Sequence, residues 1–308
     1  MSYNFLVSWL SSTLSWSTPL IMSSIGELFA EKSGVINMGI EGVMLFGALC
    51  GVAVSFYTGS TLMAVFVCIL LGAVLGLALA FLMVSRRTNQ VVTGLMFNML
   101  AAGATDLIFS LFTDMKSTRV NTFPVIFPNS WQKIPFFGEV FLTQPITTWI
   151  TFALPFAAAY IMYKTHWGLT VRATGDYPQA VATAGISVIR IKYQTVILSG
   201  IFAALGGCLL TVGEVGYFAS GGVTGGRGFI VMAACVVGGW DPVFTMIVCI
   251  LFGAMDALQL RFQAGGSPIP YQFLQMLPYV VTIISLVVMV RKSRVPKTWG
   301  APYDPKDM

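Results

Sequence analysis

An all-α, polytopic membrane bundle is the fold class that this sequence predicts, and three observations predict it. Of 308 residues, 56% are hydrophobic and 9% are charged, where a soluble chain carries about 25% charged residues. The apolar residues gather in runs of about 20, the length of helix that crosses a hydrocarbon core about 30 Å thick. The cations fall unevenly between alternate loops, as the positive-inside rule requires of membrane proteins.

Taken in order, the expected crossings are about 9–29, 35–57, 61–84, 91–112, 145–163, 194–214, 228–239, 243–262 and 271–290. Met1–Ala30 has neither a basic start nor an A-x-A cleavage site, so it is expected as a span and not as a cleaved leader. The seventh run is too short to cross alone. Trp240-Asp241-Pro242 interrupts it, which points to a broken or re-entrant helix buried in protein.

With nine crossings and the C-terminus inside, the inner loops hold Lys32, Arg86, Arg87, Lys164, Arg172, Arg190, Lys192, Arg291, Lys292, Arg294, Lys297 and Lys306. The outer ones hold Lys116, Arg119, Lys133, Arg227 and Arg261. That asymmetry predicts an N-out, C-in orientation. It also explains the net charge of +5 without nucleic acid as a partner. The long outer loop, about 113–144, carries Trp131, Phe136 and Phe137. It reads as an interfacial helix or as a docking surface.

The chain reads as a single transmembrane domain over 1–308 with an internal repeat. VCILLGA (Val67–Ala73) recurs as VCILFGA (Val248–Ala254), GIEGVMLFGA (Gly39–Ala48) faces GGRGFIVMAA (Gly225–Ala234), and FNML (Phe97–Leu100) is echoed by LQML (Leu274–Leu277). In the orientation above the two halves, about 9–112 and 194–290, run in opposite senses. Inverted repeats of this kind place a substrate path along their interface. The glycine-rich stretches Ser33–Gly42 and Ser220–Gly228 would then be paired irregular segments beside the path, or simply sites of close helix packing.

Catalytic chemistry is not expected. No G-x-x-x-x-G-K-[ST] is present, and Gly221–Gly228 lacks the Lys-Ser/Thr pair. His166 is the lone histidine, without a Ser and Asp to form a triad. Cys50, Cys68, Cys208, Cys235 and Cys249 have no metal-site or disulfide spacing.

Polar groups inside apolar runs are costly and mark candidate pathway residues. These are Asn98 and Phe97 on the fourth run, Asp256 and Gln259 on the eighth, Gln275 on the ninth, and Asn37 and Glu41 in the first glycine-rich stretch. Asn98 and Gln275 occupy matching repeat positions, and Asp256 and Gln259 share a helical face. Glu27 and Glu41 could instead bond helix ends. Asp106 or Asp256 would be the proton or Na⁺ site if the chain were an ion-driven secondary transporter.

The inner loop 164–192 contains GDYPQAVATAGIS. Asp176 is expected as an N-cap, Pro178 in the first turn and Gly185 as the C-terminal stop of a helix of about two turns. So short a helix needs a surface to pack on. Ala180, Val181, Ala182 and Ala184 would permit close docking, either on the membrane face or on a partner.

The chain resembles permease subunits of ABC importers, in the ribose/nucleoside branch of binding-protein-dependent inner-membrane components. The matching stretches are Ile25–Ala48, Asn89–Ala101, Gly168–Val188 and Gly225–Gln259, and GELFAEKSGVINMGIEG is similar to nucleoside-uptake permeases. The resemblance implies a multi-pass protein of the cytoplasmic (inner) membrane that moves nucleosides or related base/ribose solutes. It implies no cofactor in this chain, with ATP and Mg held by a separate ATPase subunit. It further implies a second, unlike permease subunit and an extracytoplasmic binding protein or lipoprotein. Asp176, Pro178, Ala180, Ala182, Ala184 and Gly185 would form the coupling helix that docks on the ATPase.

Overall fold

The computed structural model describes residues 3–111, 120–125, 127, 134–219, 222–264, 271–289 and 295–303. Among these, the chain is helical apart from short connections and one isolated bridge, Val125 to Pro145. The expected positions Lys116, Arg119, Trp131, Lys133, Arg291, Lys292, Arg294 and Lys306 lie outside the described residues.

Helix α1 (Tyr3–Lys32) is the central post, about 45 Å long at 1.5 Å per residue. It is rich in Ser and Thr yet buried. This works because Thr13, Ser17, Thr18, Ser23 and Ser24 turn their hydroxyls back onto carbonyls three or four residues earlier. After the non-helical lead-in 33–39 come α2 (Ile40–Thr58), α3 (Thr61–Ala80, extended by a π turn at Phe81–Ser85) and α4 (Gln90–Leu111). The second half contains α5 (Ile146–Lys164), α6 (His166–Asp176), α7 (Pro178–Thr183) and α8 (Val188–Cys208, extended by a π turn at Leu209–Val215). It ends with α9 (Arg227–Val237), α10 (Pro242–Ala264) and α11 (Tyr271–Met289).

Helix α8 packs against α1, α2 and α3, and α1 also meets α5, α9 and α10. Small residues set these distances. Gly72 of α3 and Gly200 of α8 face each other, and a Cβ on either would lie 2.4–2.5 Å from the other's carbonyl oxygen. A Cβ on Gly207 would fall 1.9 Å from the Met44 carbonyl oxygen of α2. Helices bring their backbones this close where lipid gives no hydrophobic drive to associate. The outward faces of α3 and α4 carry Leu62, Phe66, Val74, Met96, Met99 and Leu107, all exposed, as suits contact with acyl chains.

Among the described residues, six helical segments are long and apolar enough to cross a membrane: Ile40–Thr58, Thr61–Ser85, Gln90–Leu111, Ile146–Lys164, Val188–Val215 and Pro242–Gln263. They fall on the second to sixth and the eighth expected crossings, while α1 and α11 cover the first and ninth. Helix α9, with 11 residues, spans only about 17 Å and is the short seventh segment. Its break from α10 is local chemistry. Gly239 and Trp240 take positive φ, Pro242 occupies the first helical position, and Asp241 Oδ1 accepts from Val243 N and Phe244 N. Of the loop expected outside, residues 120–125, 127 and 134–144 are described, and they include Val125 of the isolated bridge and a π turn at Gly138–Leu142 preceded by exposed Phe136 and Phe137. All five cysteines are unpaired.

Candidate functional site at the helix lead-ins and the α7 corner

Two helices that start inside the protein need acceptors for their first backbone N–H groups. In both cases another element supplies them. Asn98, projecting from α4, accepts from Gly42 N at 2.8 Å and donates to Met38 O at 2.8 Å. Gln90, one helical stretch earlier, accepts from Ile36 N at 2.8 Å. Asn37 donates to Ser199 Oγ of α8 at 2.9 Å, while its own oxygen accepts from Gly39 N at 3.2 Å. Glu27 of α1 closes the group, accepting from Ser199 Oγ at 2.8 Å and from Asn37 N at 3.2 Å. Phe97 lies alongside, 3.0 Å from where a Cβ on Gly42 would sit, with its ring centroid 6.2 Å from that of Phe46.

The start of α9 is met by Glu41 from the first turn of α2. Its carboxylate accepts from Thr224 Oγ1 at 2.5 Å, Gly226 N at 2.9 Å and Gly228 N at 2.6 Å. A negative group at a helix N-terminus is favourable both as a hydrogen-bond acceptor and against the helix dipole. The contact needs glycine. Gly226 has φ +80°, and a Cβ on Gly228 would lie 2.6 Å from the Glu41 Cα. Around the same loop, Arg227 pairs with Asp256 at 3.2 Å, donates to Thr224 O at 3.1 Å and sits 4.9 Å over the Trp16 ring. Tyr279 donates to Gly225 O at 2.7 Å.

The sequence-predicted pathway residues therefore separate. Asn37, Glu41, Phe97 and Asn98 converge on the start of α2, and Glu41 and Asp256 converge on the start of α9. Gln259 is half-buried one turn beyond Asp256 and joins none of these bonds among the described residues. Gln275 lies on α11, and its side chain is outside the described residues. Asp106 is half-buried, eight residues past Asn98 on α4. Among the described residues, no group of three His, Cys, Asp or Glu side chains could hold a metal ion. Sequence reading missed Gln90, Ser199, Thr224 and the Arg227 partner of Asp256. Position along the chain carries no sign of these pairings, whose members lie 29 to 183 residues apart.

The α7 corner is built differently. Thr165 caps α6 by accepting from Gly168 N at 3.1 Å. Asp176 does not cap α7. It is the last residue of α6, because Tyr177 N still bonds back to Ala173 O at 2.7 Å and the helix breaks only at Pro178. Proline disfavours helical geometry in the residue before it and suits the first position of the next helix. The cap position of α7 is thus Tyr177, which offers no side-chain bond. The far end is as expected. Gly185 takes φ +79°, Gly185 N donates to Ala182 O at 2.9 Å and Ile186 N to Val181 O at 3.2 Å, a complete Schellman stop. Pro178 and Val181 are buried, Ala182 is half-buried, and Asp176, Ala180, Ala184 and Gly185 are exposed.

The C-terminal segment supports this corner, and sequence reading gave it no role. Thr298 donates to Gly175 O through both its backbone N (2.9 Å) and its hydroxyl (2.7 Å), and Gly300 N donates to Gly34 O at 3.2 Å. The Trp299 ring meets buried Trp240 edge-on at 5.7 Å, and Trp240 Nε1 donates to Glu31 of α1. Residues 298–300 therefore join the end of α6 to the start of the α2 lead-in and to the α9–α10 break.

Comparison with known proteins adds identity to this geometry. The chain is 32% identical to the nucleoside ABC transporter permease protein NupC of Lactococcus lactis subsp. cremoris, with 95% of each chain covered. It is also 32% identical to the guanosine ABC transporter permease protein NupQ of Bacillus subtilis, again over 95% of each. A putative glucose ABC transporter permease protein, TsgC13 of Haloferax volcanii, is 33% identical over 85% of this chain and 79% of its own. No solved structure matches the chain. The family described as branched-chain amino acid transport system / permease component matches residues 9–290. The chain belongs to that family and is a multi-pass permease of the cytoplasmic membrane.

Proposed function

We propose that this chain is the membrane-spanning subunit of an ATP-driven importer of nucleosides. The observation that carries the substrate class is the likeness to the nucleoside and guanosine permeases over 95% of every chain compared. The bundle lies N-out and C-in, which puts the α7 corner in the cytoplasm. A separate ATPase subunit, carrying ATP and Mg, docks on α7. A second, unlike permease completes the path, and an extracytoplasmic binding protein or lipoprotein delivers the solute. Nucleotide binding favours one state of the bundle through its differential contact with α7, and that difference in contact energy moves the helices.

An ion-driven mechanism through Asp256 has less support, because that carboxylate is already paired with Arg227 at 3.2 Å. The test is uptake into proteoliposomes holding this chain, its partner permease and the ATPase, supplied with the binding protein. Guanosine uptake that requires internal ATP is expected, whereas uptake driven by a proton or Na⁺ gradient without the ATPase would overturn the reading. Glucose serves as the competing substrate, given the name of the haloarchaeal relative. ATP-driven glucose uptake without guanosine uptake would replace the nucleoside assignment while keeping the importer. Within the same preparation, Ala182→Glu and Gly185→Asp should abolish ATPase association, and normal co-purification of both would remove α7 from its docking role.

A further inference from the structure

Lys192, near the start of α8, was expected as one more cation in the inner loop, and the structure buries it. The residue is 2% exposed and its side chain has no hydrogen-bond or ion-pair partner among the described residues, yet the amine is not fully enclosed and keeps contact with a neighbouring hollow. The amine lies against the α1–α2 lead-in, 3.4 Å from where a Cβ on Gly34 would stand. It borders a hollow of about 200 Å³ between Pro178 and Gln179 of α7 and Thr298, Pro302 and Tyr303 of the C-terminal segment. A buried ammonium without a counter-charge is costly, and the cost falls when a carboxylate pairs with it.

We propose that this hollow receives the carboxylate side chain of an Asp or Glu on the ATPase subunit, which pairs with Lys192 when that subunit seats on α7. This rests on the importer reading above. The partner commits itself by position and charge. One wall of the hollow is the coupling helix itself, so whatever covers the exposed Ala180, Ala184 and Gly185 face also covers the opening beside it. The unmet charge is positive, so the group that completes it is acidic. Typical small-ligand sites begin at about 300 Å³, and this hollow is smaller, which favours one side chain over a free nucleotide.

Two measurements test this on the intact complex. Lys192→Met should raise the melting temperature of the free permease, by removing an unpaired buried charge, and weaken ATPase binding by about thirtyfold. A lower melting temperature, or unchanged ATPase affinity, would overturn the proposal. Treatment of the assembled complex with a zero-length carbodiimide should join the Lys192 amine to an ATPase carboxylate as an amide, with loss of water, identified by peptide mass spectrometry. A cross-link from Lys192 to Asp304 or Asp307 of this chain would show the counter-charge to be internal and overturn it. If the wild-type permease bound no ATPase at all, the importer reading itself would fail; loss of the Lys192 effect alone leaves that reading standing.

Discussion

The lead-ins to α2 and α9 and the corner at α7 are both short irregular stretches between helices, yet they treat their polar groups in opposite ways. At the lead-ins, Glu27, Asn37, Glu41 and Asn98 are buried, and each bonds to backbone or side chains of a different element. At α7, the backbone closes on itself through a Schellman stop, the cap position is empty of side-chain bonds, and the outward residues are small and exposed. Among the described residues, none of the four lead-in side chains keeps a buried polar atom without a partner. The α7 corner cannot stand alone, since a helix of six residues has too few bonds to offset its nucleation. Fixed geometry thus sits in the apolar interior, where an unmet group costs most. Replaceable contact sits at the corner, where an exposed face can gain and lose a partner.

If that contrast is right, the largest effect of a single substitution falls on Glu41. Glu41→Ala leaves Thr224 Oγ1, Gly226 N and Gly228 N without their acceptor. At about 1–3 kcal/mol for each buried unmet donor, the loss is comparable to a whole protein's stability. Little monodisperse permease should survive extraction, read by size-exclusion chromatography of a fluorescent fusion. Glu41→Gln keeps one acceptor oxygen and should recover part of the yield. Wild-type yield and melting temperature in Glu41→Ala would break the comparison outright.

Asn98 comes next. Its two bonds, to Gly42 N and Met38 O, make Asn98→Ala worth about 2–4 kcal/mol. Melting temperature and uptake should therefore fall together, in contrast to a ligand contact, which would lose uptake alone. Asn98→Asp sharpens the point. It retains the acceptor for Gly42 N but sets an oxygen against the Met38 carbonyl, so it should not restore stability. Full stability with lost uptake in Asn98→Ala would return this residue to the substrate path.

How far these outcomes could be read in the sequence depends on the range of the interaction. Crossing lengths, the break at Trp240-Asp241-Pro242 and the stop at Gly185 were legible, because each rests on neighbours within a few residues. The start of α7 was misread at Asp176, since the local cap signal ignored that α6 runs up to the proline. Asn98 and Asp256 could be picked out as polar groups in apolar runs, but their partners could not. Ser199, Thr224 and Arg227 are ordinary residues that matter only because packing brings them close. The support given by Thr298, Trp299 and Gly300 was invisible for the same reason, their contacts at Gly175, Trp240 and Gly34 being distant in the chain.

The smallest effect is expected at Gly185, and it tests the corner side of the contrast. A Cβ there meets nothing within 4 Å, so Gly185→Ala adds no clash, and only the positive φ of +79° is strained. That strain costs an L-residue about 1–2 kcal/mol. The amides held by the stop are Ala184, Gly185 and Ile186, which donate to Ala180, Ala182 and Val181. Their hydrogen exchange should speed up by about fivefold or somewhat more, while Gly42 and Gly228, fixed by Asn98 and Glu41, keep wild-type protection. Global melting should barely move, because α7 can loosen without disturbing the bonds at the lead-ins. Accelerated exchange at Gly42 or Gly228 in the same variant would mean that the two regions unfold as one, and the division between a fixed interior and a yielding corner would be lost.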